Sequence, residues 1–181
     1  FCSMETLQVN MVNDIISNSL GNSMSYAEYR ALVSELTENN STTGPEKTEA
    51  LANYSALNDR RMKRWDKTVK ISEDTKTAIE NSKTKTTWLV LTESWCGDAA
   101  HIMPVINKVA ELNDNINYKI VLRDENEALM NQFLTNGGKS IPKLIMIDDE
   151  TNEVVNTFGP RPSVATQFVN NYKAEHGKLT P

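Results

Sequence analysis

A chain of 181 residues with 39% hydrophobic and 24% charged content is long enough to bury a core and too apolar for general disorder. Its formal net charge of -5 speaks against nucleic acid or an anionic membrane surface as partner. Two cysteines, Cys2 and Cys96, allow one bridge but no disulfide framework, which suits a reducing cytoplasm.

The chain opens on Phe1, without the charged-then-apolar pattern of a signal peptide. Residues 1–10 are expected to be a disordered or vector-derived leader, with Met11 as a native start. A lipobox ahead of Cys2 would instead make an exported lipoprotein. No run reaches the roughly 18 apolar residues of a membrane span.

From Met11 the pattern is helical. Val12, Ile15, Ile16 and Leu20 share a face, and Gly21-Asn22 is a stop. Ser25 with Glu28 forms a capping box for a helix striped by Tyr26, Tyr29, Leu32, Val33 and Leu36. After a polar loop, Pro45 is placed to open a helix over Glu46 to Lys67, burying Leu51, Tyr54, Leu57, Met62 and Trp65. Its basic run, Arg60-Arg61-Met62-Lys63-Arg64, reads as a solvated face or as a partner site. Ser72 caps a short helix to about Ser82. These helices make an N-terminal extension over 11–83, ahead of a second region at 84–181.

At Thr86 the period changes. Trp88 to Leu91 is a continuous apolar run, as in a strand covered on both faces. A helix follows Cys96, with Ile102, Met103, Ile106, Val109 and Leu112 on its stripe. Tyr118 to Leu122 is a second strand, and Leu129, Met130, Phe133 and Leu134 mark the next helix. Lys143–Ile147 and Val154–Phe158 pair as a hairpin through Asp148–Asn152. Val164, Phe168, Val169 and Tyr172 stripe a last helix. The order is βαβ, then α, then ββα: a mixed four-stranded sheet with helices on both faces.

Cys96 stands at a strand–helix junction, where unpaired backbone N–H groups and the helix dipole favour thiolate. Asp98 opposes this as a like charge, or serves as an acceptor that orients substrate. Trp95 reads as core packing or as a lid over the sulfur, and Gly97 as room for close backbone approach. His101 reads as a surface residue. Arg123 is either part of a helix-cap ion pair or an anion site, and Arg161 lies in a Pro-Arg-Pro turn where it can contact a ligand. Two cysteines and two histidines lack zinc-ligand spacing. No metal or other cofactor is expected.

Trp95-Cys96-Gly97-Asp98-Ala99, Pro104 and Ser140-Ile141-Pro142-Lys143 together resemble the landmarks of the thioredoxin superfamily over about Thr86 to Glu175. More narrowly, the chain is similar to uncharacterised bacterial thioredoxin-like proteins with a helical N-terminal extension. The resemblance implies a thioredoxin-like fold, Cys96 as nucleophile and a cis Ile141–Pro142 bond. The Ile141 backbone would then pair with an extended substrate, in a groove shared by Trp95, Gly97 and Asp98. Two departures stand out: Ala99 occupies the place of the resolving cysteine, and Val90 that of a buried acid. Together they imply a monothiol oxidoreductase or thiol-redox adaptor, acting on a protein or a low-molecular-weight thiol or disulfide. The alternative is a non-catalytic module that holds a protein partner in the cis-proline groove. Solvent access to the Cys96 sulfur separates the two readings, a buried sulfur speaking against the enzymatic one.

Overall fold

The computed structural model describes residues 2–161. The extension supplies α1 (Cys2–Gly21), α2 (Tyr26–Glu38), α3 (Glu49–Thr68) and α4 (Glu73–Glu80). Strand β1 (Thr86–Thr92), α5 (Gly97–Glu111) and β2 (Ile116–Leu122) follow. After a 3-10 turn at Arg123–Glu125 come α6 (Glu127–Gln132), β3 (Lys143–Asp148) and β4 (Val154–Phe158). The last predicted helix lies outside the described residues.

The sheet order is β2-β1-β3-β4. Strands β1 and β2 are parallel, while β1–β3 and β3–β4 are antiparallel. Leu89, Val90 and Leu91 are all fully buried, so β1 is covered on both faces. The Tyr118 hydroxyl donates to the Met103 carbonyl, which puts α5 on the sheet face shared by Tyr118 and its β1 neighbour Trp88. By alternation Val90 and Ile120 face the same way. Met24, just before α2, bridges Ile120 and so shields the outer edge of β2.

The Ser25–Glu28 capping box is present in both directions. Four expectations are corrected. Residues 2–10 form the first half of α1 instead of a disordered leader, although Met4, Leu7 and Val9 stay exposed on it. Pro45 does not open α3: Thr48 caps it, three residues later. The buried stripe of α3 is also displaced, being Ala52, Ser55, Asn58, Asp59 and Met62, while Tyr54 is 56% exposed. Finally, α6 stops at Gln132, so Leu134 lies outside it and is exposed.

The polar stripe of α3 is satisfied by neighbours, as burial requires. Arg30 of α2 donates to Asp59 at 2.9 Å and to Asp66 at 3.1 Å, and the Tyr26 hydroxyl donates to Asp66 at 2.6 Å. Asp59 is buried and its other cation, Lys63, is exposed and 3.8 Å away, so removing Arg30 leaves this carboxylate poorly compensated away from water. Arg30→Met is therefore expected to cost about 3 kcal/mol in urea unfolding, whereas exposed Lys76→Gln costs well under ~1 kcal/mol.

Candidate functional site

Strand β1 ends in the turn Glu93-Ser94-Trp95, and Cys96 is the N-cap residue of α5. Its side chain makes no capping bond. Instead the thiol donates to the Ile141 carbonyl at 3.4 Å. The Ile141–Pro142 peptide is cis and precedes β3 directly, so the sheet itself sets this backbone against the sulfur. The structure thus brings Cys96, Ile141 and Pro142 together.

Cys96 retains 8% exposure, and burial pushes its thiol above the usual range. Asp98 adds to this, while the Asp98 and Ala99 amides and the Arg123 charge act in the other direction and are outweighed. The helix N-terminus is therefore in place as expected, but it does not leave a poised thiolate. Ala99 and Val90 are buried at 1% and 0%, so neither position offers a polar group.

Asp98 accepts a bond from Arg161 at 2.9 Å, tying the segment after β4 to the first turn of α5. That segment also packs tightly on the proline: Gly159, at φ +120°, sits where a Cβ would fall 2.1 Å from the Pro142 carbonyl oxygen. Gly97 leaves space for Arg61, whose Nη1 would lie 3.3 Å from a Cβ there. One residue of the basic run thus reaches the site, and the other three are exposed. His101 is exposed and accepts a bond from Trp65 Nε1. Trp95 carries the Arg123 guanidinium 5.0 Å above its ring. Arg123 in turn donates to Asp124 at 3.0 Å and to the Lys139 carbonyl at 3.2 Å.

Two residues with large roles were not singled out from the sequence. Ser94 is completely buried and is the hub of a network. Its hydroxyl meets Ser55 at 2.7 Å and Thr42 at 3.2 Å, and receives the Thr43 amide at 3.0 Å. Its own amide donates to the Thr43 hydroxyl, and Asn58 donates to its carbonyl. Glu93 is 1% exposed, with Oε1 accepting the Asp124 amide at 2.9 Å. Its Oε2 has no hydrogen-bond partner among the described residues. A carboxylate closing an apolar strand, immediately before the cysteine turn, was the signal available for Glu93. For Ser94 there was none, since its partners are some 40 to 50 residues distant in sequence.

Burial raises the Glu93 pKa, only partly offset by the Thr43 hydroxyl and the Asp124 amide. As pH rises, the unfolded chain therefore releases this proton first, and stability falls through the folded-state pKa. Glu93→Gln removes that loss. Its stability relative to the parent is expected to improve, in urea melts, across the window that opens at the ordinary carboxylate pKa of about 4.3 and extends upward from there. An unchanged difference across this window would contradict the assignment.

Among the described residues, no cluster of three or more His, Cys, Asp or Glu could hold a metal ion, and no helix is long and apolar enough to cross a membrane. A family model described as Thioredoxin matches residues 44–173, which takes in α3 and α4 as well as the sheet. Two solved structures share the fold. A protein of unknown function from Pseudomonas aeruginosa is 17% identical, with a TM-score of 0.56, over 84% of this chain and 87% of its own. An HIV epitope scaffold is 19% identical, with a TM-score of 0.54, over 82% of each chain. No curated protein matches.

Proposed function

Because the chain belongs to the thioredoxin family, we propose that it is a slow, monothiol thiol–disulfide exchange module with Cys96 as the sole attacking sulfur. The observation carrying this reading is the 3.4 Å contact between the Cys96 thiol and the Ile141 carbonyl at the cis-proline. An extended substrate pairing with the Ile141 backbone brings its own disulfide to that sulfur. A substrate N–H that takes the Ile141 oxygen also removes the acceptor holding the thiol proton. The proton leaves to solvent, and the thiolate attacks one sulfur of the substrate disulfide. A Cys96–substrate disulfide forms, and the other substrate sulfur departs as thiolate.

Resolution then needs an external thiol, because Ala99 supplies none. That thiol attacks the mixed disulfide, regenerates Cys96 and carries the substrate sulfur away in a new disulfide. No net oxidation or reduction is needed. Trp95, Gly97 and Asp98 flank the attacking sulfur, with Arg161 holding the Asp98 carboxylate beside it. A protein or a small disulfide would serve as substrate, in a reducing compartment.

The second reading is a groove that binds a partner without covalent chemistry, and the burial of Cys96 favours it. Alkylation as a function of pH, with Cys96→Ser as control, separates the two. Exchange predicts a thiol that titrates above the ordinary ~8.5 yet reacts in the folded state, and mixed disulfides that a reductant releases. No reaction with folded protein up to about pH 10 would leave only the binding reading. Exchange further predicts that Ala99→Cys shortens the lifetime of a captured mixed disulfide at least ~10-fold, since attack becomes intramolecular.

A further inference from the structure

Beside Trp95 the structure holds a cleft of about 490 Å³, which gives the Arg123 anion-site reading a cavity that the sequence does not announce. One wall is the extension loop Thr43-Gly44-Pro45, and the other is formed by Arg123 and Lys139 beyond β2. This volume falls in the range of small-molecule sites, roughly 300–1,000 Å³. Trp95 forms part of its surface and is the residue next to Cys96. We propose that this cleft binds the carboxylate of a small thiol or disulfide and delivers its sulfur to Cys96. The proposal rests on the exchange reading above and names its substrate class.

The hydrogen-bonding capacity of the walls argues for a carboxylate. Arg123 uses Nε on Asp124 and Nη1 on the Lys139 carbonyl, which leaves Nη2 with no bond among the described residues. Trp95 Nε1 likewise has no hydrogen-bond partner among them. The bonds to Asp124 and to the Lys139 carbonyl hold the guanidinium over the indole face, so the remaining donor is pre-set and costs little entropy to use. The acids alongside are engaged: Asp124 with Arg123, and Glu127 with Lys139 at 2.7 Å. Glu46, exposed at the rim, is available to a ligand that also carries an ammonium group.

Gly44 keeps the indole donor uncovered. It sits at φ +85°, and a Cβ there would lie 3.7 Å from Trp95 Nε1 and 3.1 Å from Asp124 Oδ2. The loop that forms this wall is fixed to the cysteine turn by the Thr43–Ser94 bonds. Arg123 is also close enough for its charge to favour the Cys96 thiolate. Cys96 itself does not line the cleft; Trp95, its chain neighbour, is the side chain through which the cleft adjoins the cysteine turn.

The test measures mixed-disulfide formation at Cys96, in the full chain carrying Cys2→Ser, with three small symmetrical disulfides: dithiodipropionate, hydroxyethyl disulfide and cystamine. Dithiodipropionate is expected to react roughly tenfold faster than the neutral reagent, equivalent to one charge-assisted contact. The net charge of -5 repels it, so general steering cannot produce that preference. Arg123→Gln should bring the anionic-to-neutral ratio to about one, while Lys76→Gln, on α4 and remote from the cleft, should leave the ratio intact. Equal rates for all three, or cystamine fastest, would overturn the carboxylate site and leave exchange standing. If none reacts, exchange itself fails, and the cleft is judged by titrating 3-(methylthio)propionate against the Trp95 indole N–H resonance. A saturable shift that Arg123→Gln abolishes upholds the site, and no shift overturns it.

Discussion

The bonds made by Ser94 fix everything that matters at the site. Its hydroxyl, amide and carbonyl are all taken by Thr42, Thr43, Ser55 and Asn58, and every one of these side chains is buried. A buried polar group left without a partner costs about 1–3 kcal/mol. The turn and the extension thus satisfy each other, and neither can move without stranding several groups at once. The cysteine turn is held from below by β1 and from the side by α3 and the loop before it. In this chain the helical extension is part of the site's scaffold, consistent with a family match that begins at Gly44, well before the sheet.

That same mutual dependence explains what the sequence disclosed. The strands and the hairpin were legible because their cause is local: a buried strand writes a run such as Trp88 to Leu91, and a hairpin writes a turn between two such runs. The capping box at Ser25 is equally local, with both partners within one helical turn. The role of α3 was not legible. Its inward face carries Ser55, Asn58 and Asp59, so an apolar-stripe reading selected Tyr54 and rotated the helix. Polar residues become core residues only when distant groups complete them, and those groups are on α2 and at Ser94. The cleft escaped notice for the same reason, since its two walls are some 80 residues apart in sequence.

Cys96 itself shows a competition of magnitudes. Interaction with a helix N-terminus is typically worth about 0.3–1 kcal/mol, less than one pKa unit. Loss of water around a mostly buried ionisable group can shift its pKa by several units. Here the sulfur lies under the Ile141 carbonyl at 8% exposure, and the balance falls to burial. The helix N-terminus was visible in the sequence, but the burial was not, because it comes from a carbonyl 45 residues away.

Under the exchange proposal, this balance would give substrate binding a direct part in the chemistry. In the empty groove the thiol proton has an acceptor, the Ile141 oxygen, and an ordinary thiolate there would face that oxygen's partial negative charge. A ligand that takes over the oxygen through its own N–H reverses the local field at the sulfur. Arg123 already favours the thiolate, and the Arg161 bond to Asp98 moderates the one carboxylate that opposes it. A resting thiol that ionises only as the groove fills would stay inert toward general oxidants and react with what fits. With no resolving sulfur at Ala99, that restraint would set which disulfides are captured, and an external thiol how long each is kept.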